Sequence, residues 1–411
     1  MSPWGGWDLV VVGAGPAGAA TALGALRADP LLRVLLVDRA SFPRDKACGD
    51  GVAPHVVDLL RTVGVTDLLA DRVPVGELRL SRGRQMVART MARPAYVVPR
   101  RVFDARLVQA AVDAGAVVQH HRVRSVGGTT GSAVLDEGEV AGRIVVGADG
   151  AHSVVARALC VPRGPRAVAL RGYAPVTDGR RGAQVIAFGA RRQPSYAWSF
   201  DRGDGLANVG YGEVTSGDKL TRAAMLDRLE TLLPGAAMDG GDWRAHPLPL
   251  STWRPLRPGR GGVLLVGDAA GLVNPLTGEG IFYAVATGLL AGAAAAAAVR
   301  TGVEPAAAYR HDVRRLLGGH LRHTALAARL SHSPRILQAG IAAADDDQAV
   351  FDDLVELGLA RGRLTATVAR GLVRGLAQVR AGAPGLVPGA PLSSSLAPGR
   401  HRGARVHQEA S

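Results

Sequence analysis

Three glycines near the N-terminus have the spacing of a turn that binds phosphate groups. The turn contains Gly13, Gly15, Pro16, Ala17 and Gly18. A short apolar stretch precedes it and an Ala-rich stretch follows, which predicts a strand, a tight turn and a helix. The first glycine permits the turn, the second lets the backbone approach a pyrophosphate, and the third lets helix and strand pack closely. Free backbone N–H groups and the positive end of the helix dipole would hold the phosphates.

An acidic residue follows at the distance that a dinucleotide site requires. Asp38 ends a second apolar stretch and lies about 20 residues after the last glycine. The next residue, Arg39, is also expected to contact the cofactor. A carboxylate at this place accepts hydrogen bonds from an adenosine ribose. The order strand, turn, helix, strand, acid therefore predicts a bound dinucleotide. The alternative is a Rossmann-like turn that has lost its ligand.

Two further turns of small residues follow predicted strands much later in the chain. One reads GADGAHS (147–153), and the other begins GDAAG (267–271) and continues to GEGI (278–281). The residues expected to contact a ligand there are Asp149, Gly150, Asp268, Gly271, Pro275, Gly278, Gly280 and Ile281. Either aspartate alone would be an ordinary turn residue. Three such turns together predict one extended cofactor that crosses several strand ends.

Composition limits the classes of function. The chain has 411 residues, of which 47% are hydrophobic and 20% charged, and this is typical of a globular protein with two interleaved domains. The net charge of +14 arises from arginine, and only 4% of residues are aromatic, so nucleic-acid binding is not expected. Arginines in the C-terminal third favour a solvated face, with weak attraction to an anionic membrane as a secondary interpretation. The sequence indicates no particular oligomeric state.

Further patterns bear on location and on metals. With only two cysteines, Cys48 and Cys160, the chain has no disulfide framework, and a cytoplasmic location is expected. The N-terminus lacks the pattern of a signal peptide. Residues 281–299 carry no charge, but they are mostly Ala and Gly, which predicts a buried helix rather than a membrane span. No metal site is predicted, and the C-terminal histidines are interpreted as surface residues: His311, His320, His323 and His332.

The three turns together resemble the flavoprotein monooxygenase-type fold of FAD-dependent oxidoreductases. More narrowly, the loop FPRDKACGDG (42–51) resembles the geranylgeranyl reductase family. A second match is YAWSF (196–200), where that family carries a Tyr-x-Trp-x-Phe-Pro motif that contacts lipid. This chain has Asp201 in place of the proline. The resemblance covers about residues 8–300.

The resemblance implies an α/β fold in which a Rossmann-like FAD-binding domain carries an inserted antiparallel-sheet substrate domain and is followed by C-terminal helices. The implied FAD-binding parts are 1–74, 99–160 and 253–300. The implied substrate-domain parts are the strands of 75–98 and the antiparallel sheet of 161–252. C-terminal helices are expected over 301–381, and a flexible tail over 382–411.

The resemblance also implies roles for individual residues in holding FAD. Residues 13–18 would hold the pyrophosphate, Asp38 the adenosine ribose, Val123 would lie near the adenine, Arg100 beside the cofactor, and Asp268 at the ribityl or pyrophosphate region. Backbone N–H groups of Gly280 and Ile281 would face the flavin pyrimidine ring, where a helix N-terminus stabilises negative charge. Lys46, Cys48 and Gly49 would lie along the isoalloxazine.

Two features of the loop and strand have both an ordinary and a functional interpretation. A lone cysteine is usually a small buried hydrophobe, but in this loop Cys48 is a candidate catalytic residue that tunes the ring, contacts substrate or relays a proton. Tyr196, Trp198 and Phe200 alternate on one strand face, which fits either core packing or the aromatic wall of a substrate slot.

The leading hypothesis is an FAD-dependent reductase that saturates C=C bonds of a polyprenyl or isoprenoid substrate, a lipid quinone side chain or a terpenoid, by hydride transfer from reduced flavin. Electrons would come from NAD(P)H or from a protein reductant. The alternative is an FAD-dependent monooxygenase, a hydroxylase or epoxidase, acting on an apolar terpenoid or aromatic substrate. A third interpretation is an FAD-binding carrier without turnover. A hydrophobic small molecule is the expected partner, with peripheral membrane contact.

Overall fold

The structure is a computed structural model, and it describes residues 6–83, 85–127, 132–162, 164–215, 220–252 and 258–381. The predicted flexible tail, 382–411, lies outside the described residues, as do the first residues of the third predicted FAD-binding part, 253–257.

Strands and helices alternate through the first two thirds of the chain, and helices follow. The strands are β1 (Trp7–Val12), β2 (Val34–Asp38), β3 (Gly51–Val52), β4 (Pro74–Arg82), β5 (Gln85–Val97), β6 (Val117–His120), β7 (Val123–Val126), β8 (Ser132–Leu135), β9 (Glu139–Gly147), β10 (Arg166–Pro175), β11 (Ala183–Phe188), β12 (Ser195–Asp201), β13 (Leu206–Val214), β14 (Gly241–Pro249), β15 (Gly259–Arg260) and β16 (Val263–Leu265). The helices are α1 (Pro16–Ala28), α2 (Pro54–Arg61), α3 (Arg100–Asp113), α4 (Val154–Ala158), α5 (Arg222–Leu232), α6 (Ile281–Thr301), α7 (Pro305–Leu330), α8 (Pro334–Asp346), α9 (Gln348–Leu359) and α10 (Ala366–Ala381).

The first sheet has the order β15-β16-β9-β1-β2-β6, and β8 joins β7 to β9. Its strands from β16 to β6 are parallel. In register, Gly147 at the end of β9 lies beside Val12 of β1 and beside Leu265 of β16. Because the carboxyl ends of parallel strands share one edge, the three glycine turns meet at that edge, where the strand order reverses and α/β folds bind ligands.

The second sheet has the order β14-β10-β13-β12-β11-β4-β5-β3. Its pairs are antiparallel except for β11 with β4. Helices α8 and α9 pack on the β4–β5 hairpin, where Leu78, Met91, Ile341 and Phe351 belong to one buried apolar cluster. The C-terminal helices therefore cover one face of this sheet.

Helix α6 is the one helix, among the described residues, that is long and apolar enough to cross a membrane, and 83% of its most apolar window is buried inside the protein. It packs against α1 through small residues. A Cβ atom on Gly288 would overlap the carbonyl oxygen of Ala17, and one on Gly292 would overlap that of Thr21. The close approach of the two helices explains the glycine and alanine content of this segment.

Two predicted elements have different bounds in the structure. The sequence after the 42–51 loop predicts a helical stretch to about residue 69, but α2 ends at Arg61, because Gly64 (φ +85°) and Val65 turn their N–H groups back to carbonyls of the last helical turn. The apolar pattern of residues 117–123 predicts one strand, but the structure has two strands there, β6 and β7. The chain leaves β2 after His120, and Val123 pairs with Leu135 of β8 instead.

Candidate functional site

One cavity of about 1320 Å³ runs from the carboxyl edge of the first sheet to the face of the second. It brings together most of the residues that the sequence predicted: Gly13, Gly15, Pro16, Ala17, Asp38, Arg39, Lys46, Cys48, Gly49, Arg100, Val123, Asp149, Gly150, Tyr196, Trp198, Phe200, Asp268, Pro275, Gly278, Gly280 and Ile281. Gly18 and Gly271 do not line it. A Cβ atom on Gly18 would overlap the Gly13 carbonyl, so Gly18 supports the turn from behind, and Gly271 (φ +70°) ends the 3-10 helix Gly267–Ala270.

The first glycine turn is fixed by a close backbone contact and by the Asp38 carboxylate. Gly13 has φ +99°, and a Cβ atom there would lie 2.5 Å from the carbonyl oxygen of Ala148. Gly15 precedes α1 without a side-chain cap. Asp38 accepts hydrogen bonds from the N–H groups of Ala14 (2.8 Å) and Ala40 (2.9 Å). The carboxylate at the end of β2 thus fixes the turn that begins α1.

The aspartates of the other two turns differ in charge environment. Asp149 accepts a hydrogen bond from the N–H of Val154 (2.6 Å), and burial raises its pKa. Asp268 pairs with Lys46 at 3.2 Å. Burial acts to raise the pKa of Asp268, but the charge of Lys46, with that of His246, outweighs burial and lowers it. Asp268 is therefore a carboxylate, and it ties the 42–51 loop to the third turn.

Cys48 lies beside a buried arginine. Asp104 accepts two hydrogen bonds from the Arg100 guanidinium, at 2.6 and 2.8 Å, and a third contact from Arg44 at 3.2 Å. The Arg100 side chain also reaches Cys48. Burial raises the pKa of the Cys48 thiol, although Arg100 opposes this. Cys48 is therefore a neutral thiol at the cavity wall near pH 7.

Asp50, in the 42–51 loop, has a buried carboxyl group for which the sequence predicts no role. Its Oδ2 accepts hydrogen bonds from Tyr173 (2.6 Å) and Asn208 (2.8 Å), while its buried Oδ1 has no partner. Asn208 also donates to the carbonyl of Cys48 at 2.8 Å. Burial raises the pKa of Asp50 to about 6 against these hydrogen bonds. Asp50 thereby anchors the Cys48 loop to the second sheet.

We expect Asp50→Asn to remove part of the pH dependence of stability. Because the pKa rises from 3.8 to about 6 on folding, the native state binds more protons between these values, and stability falls as pH rises through them. Asp50 alone should lower the free energy of unfolding by about 2 kcal/mol from pH 4 to pH 7. Urea unfolding of both proteins at the two pH values measures this loss. An identical loss in the variant would contradict the role of Asp50.

The aromatic strand, β12 (Ser195–Asp201), packs directly on the Cys48 loop. A Cβ atom on Gly49 would touch the Phe200 ring at 3.5 Å, and Trp198 donates to Asn208 at 2.8 Å. Tyr196 donates to the Thr277 carbonyl in the third turn. Asp201, which replaces the family's proline, accepts hydrogen bonds from the N–H groups of Gly182 and Gly203 and so fixes the strand end.

The C-terminal helices also contribute to the site, which the sequence did not show. Asn274 in the third turn donates to carbonyls of Leu357 and Gly358 at the end of α9, and Thr277 donates to the same Gly358 carbonyl at 2.8 Å. Glu279, in the GEGI motif (278–281), also lines the cavity, although the sequence predicts no role for it. The only signal for these helices was their amphipathic pattern, which indicates a buried face but not what covers it.

The expectation that the C-terminal histidines are surface residues is wrong for His320. This side chain is 2% exposed, and its ring nitrogens contact the Tyr283 hydroxyl and the Gly362 carbonyl. It joins α6 and α7 to the chain after α9. In the part of the chain that the structure describes, no group of three or more His, Cys, Asp or Glu side chains could hold a metal ion.

The residues present fit FAD. The uncapped start of α1 offers backbone N–H groups to a pyrophosphate, and a Cβ atom on Gly150 (φ +76°) would meet no atom within 4 Å, so this turn leaves open space. Gly280 is the N-cap residue of α6, and the neighbouring Glu279 side chain accepts a hydrogen bond from the N–H of Phe282 at 2.8 Å, so a helix N-terminus lies at the cavity.

Comparison with known proteins agrees with this site. Residues 7–316 match the model of the FAD binding domain family. The menaquinone reductase of Mycolicibacterium smegmatis is 34% identical over 314 residues, which are 69% of this chain and 75% of that protein. Digeranylgeranylglycerophospholipid reductase 1 of Methanopyrus kandleri is 33% identical over 320 residues, 71% of this chain and 81% of that protein.

A solved structure shares the fold. A geranylgeranyl bacteriochlorophyll reductase-like protein of Thermoplasma acidophilum superposes with a TM-score of 0.69 at 21% identity, over 90% of this chain and 96% of that one. This likeness confirms the α/β fold with an FAD-binding domain, a second sheet and C-terminal helices. The chain belongs to the FAD binding domain family and is a geranylgeranyl reductase-like, FAD-dependent oxidoreductase.

Proposed function

We propose that the protein saturates C=C bonds in the isoprenoid chain of a lipid quinone or terpenoid. The observation that carries this proposal is that the FAD cleft and an apolar chamber form one continuous cavity. The relatives named menaquinone reductase and digeranylgeranylglycerophospholipid reductase support a polyprenyl substrate. We also propose the division into FAD-binding parts, substrate domain and C-terminal helices given by the sequence analysis.

The walls that the C-terminal helices and the second sheet give to the chamber are mainly apolar. Its helical wall includes Leu330, Ile336, Leu337, Ile341, Val368 and Leu372, and its sheet wall includes Leu78, Leu80, Met91, Ile186 and Phe188. The aromatic side chains of β12 stand between the chamber and the Cys48 loop. An apolar chain in this chamber would be shielded from water and held with one double bond at the loop.

We propose that the glycine turn and α1 bind the FAD pyrophosphate, Asp38 the ribose end, and the third turn the flavin ring. Reduced FAD, when bound, supplies the hydride for one alkene carbon. The protein's own residues orient the alkene, exclude water and supply the second hydrogen as a proton. The Lys46–Asp268 ion pair, with side chains 25% and 15% exposed, fixes the loop that faces the ring.

Anaerobic turnover distinguishes this function from the alternative monooxygenase. With menaquinone in detergent micelles and dithionite as reductant, and with the quinone ring re-oxidised in air before analysis, we expect mass spectrometry to show two hydrogens added to the isoprenoid chain without oxygen. A monooxygenase would stop without O₂ and, with O₂ present, would place an oxygen atom in the product. NAD(P)H or a protein reductant is the proposed physiological electron donor, and replacing dithionite with NADH or NADPH tests the first.

We propose that the thiol of Cys48 contacts the substrate double bond. Cys48→Ser should bind FAD normally but reduce alkene turnover by about tenfold or more, because the shorter, more polar hydroxyl alters the contact at the ring. Cys160→Ser is the matched control, since Cys160 is free and exposed. Formation of the saturated product in a single turnover of the reduced protein measures the effect. Unchanged turnover in Cys48→Ser would remove this residue from the mechanism.

We further propose that the protein takes its substrate from an anionic membrane surface while remaining peripheral to it. The helices that wall the chamber carry outward apolar and basic side chains. On α10, Leu372 lines the chamber, while the neighbouring Val373 and Arg374 are 68% and 65% exposed. Sedimentation with phosphatidylglycerol vesicles, but not with phosphatidylcholine vesicles, is the expected result.

A further inference from the structure

We propose that the carboxyl group of Glu279 donates the proton that completes saturation of the double bond. This inference rests on the proposed reductase function. Glu279 lines the cavity between the third glycine turn and α6, next to Gly280 and Ile281, the residues assigned to the flavin ring. Its Oε1 accepts a hydrogen bond from the N–H of Phe282 at 2.8 Å. The carboxyl is therefore fixed at the helix N-terminus and open to the cavity.

The surroundings of Glu279 favour a carboxyl group that gains and loses a proton near neutral pH. Burial raises its pKa to about 7, against the hydrogen bonds from the N–H groups of Phe282 and Ile281. Among the other titratable and charged groups, Arg100 and Asp268 act on the Glu279 carboxyl. Glu279 in turn acts on the hydroxyls of Tyr196 and Tyr283, and Cys48 also acts on Tyr196. A general acid works best when its pKa lies near the operating pH. The Cys48 thiol, whose pKa is raised from 9.0, is a far weaker acid.

The reaction balances with this single donor. The alkene π bond is replaced by two C–H bonds. The first C–H bond takes its hydrogen and its electron pair from reduced FAD. The second C–H bond forms from the π electrons and the proton of Glu279. Glu279 is left as a carboxylate and FAD is left oxidised. Two electrons from the nicotinamide or protein donor, with protons from water, restore both groups.

Glu279 also caps α6, so the decisive variant must keep the cap and remove the proton. Glu279→Gln retains an oxygen that accepts from Phe282, but it cannot donate as an acid. Glu230→Gln is the matched control. Glu230 likewise accepts from backbone N–H groups, of Gly235 (2.6 Å) and Ala237 (2.9 Å), but it does not line the cavity.

We expect Glu279→Gln to bind FAD within about threefold of wild type. Its single-turnover formation of chain-saturated product from menaquinone should be about 100-fold slower or more. The wild-type rate should fall tenfold for each pH unit above about 7, and the residual rate of the variant should not depend on pH there. A second readout needs no turnover. The visible spectrum of bound oxidised FAD should shift with an inflection near pH 7 in wild type and Glu230→Gln, and this inflection should be lost in Glu279→Gln.

A Glu279→Gln protein that saturates the isoprenoid chain of menaquinone at a rate within threefold of wild type, with the same pH profile, would overturn the proton-donor role alone. If wild type and Glu230→Gln do not saturate the double bond under anaerobic conditions, the proposed function fails and the donor role with it. If Glu279→Gln does not bind FAD, the pH dependence of turnover in Glu279→Asp tests the proposal instead. Turnover that still falls at alkaline pH supports a carboxyl donor, and turnover independent of pH overturns it.

Discussion

Gly15→Ala should leave the protein folded but weaken FAD binding by roughly 100-fold, about 2.8 kcal/mol. A Cβ atom on Gly15 would meet only Nη2 of Arg44, at 3.2 Å, and this flexible end of a side chain can move. The same methyl group would occupy the place from which the backbone approaches the pyrophosphate. Fluorescence titration of the apoprotein with FAD measures the loss, and thermal unfolding of the apoprotein checks the fold.

The control for this variant is Gly179→Ala, in the 3-10 helix Asp178–Arg180. A Cβ atom there would meet no heavy atom within 4 Å, and Gly179 does not line the cavity. Its FAD affinity should equal that of wild type. FAD affinity of Gly15→Ala within threefold of wild type would contradict the placement of the pyrophosphate at this turn.

Gly340→Phe should make the enzyme selective against long isoprenoid chains. Gly340 lies on α8 and lines the apolar chamber, and a Cβ atom there makes an ordinary contact with Leu372 at 3.7 Å. A phenyl ring should fill the chamber beyond the aromatic strand. We expect KM for a long-chain menaquinone to rise about tenfold or more, equivalent to about 1.4 kcal/mol, while a substrate with one or two isoprene units is reduced at nearly the wild-type rate.

The matched control is Gly318→Phe on α7. There, a Cβ atom would meet only the Cβ of Arg314, at 3.9 Å, and the residue does not line the chamber. Both variants should retain FAD, because neither position touches the glycine turns. An equal loss of activity toward long-chain and short-chain substrates in Gly340→Phe would show that the chamber does not hold the isoprenoid chain.

Most of the residues that line the cavity near the glycine turns could be predicted from the sequence because each turn is local. Each glycine turn has its own signature, and the turns converge because parallel strands place their carboxyl ends at one edge. Asp268, ambiguous alone, lines the cavity together with residues of the other two turns. The bounds of α2 were less predictable, since the reversal at Gly64 competes with an apolar pattern that continues beyond it.

The buried titratable groups illustrate what a sequence pattern leaves out. Asp50 and Glu279 both lie in motifs that were recognised, but their unusual protonation depends on burial by distant parts of the chain. Tyr173 and Asn208 come from the second sheet to enclose Asp50. His320 was assigned to the surface because an isolated histidine in a helix has no local signal of its partners.

By itself, the amino-acid sequence determined the glycine turns, the acidic residues at the strand ends and the aromatic strand, and hence an FAD-dependent oxidoreductase. Only the tertiary structure decided that α7–α10 close an apolar chamber over that cofactor cleft and that Glu279 faces it. The physical reason is that turn geometry is encoded by neighbouring residues, whereas desolvation and cavity shape arise from side chains that are hundreds of positions apart and meet only after folding.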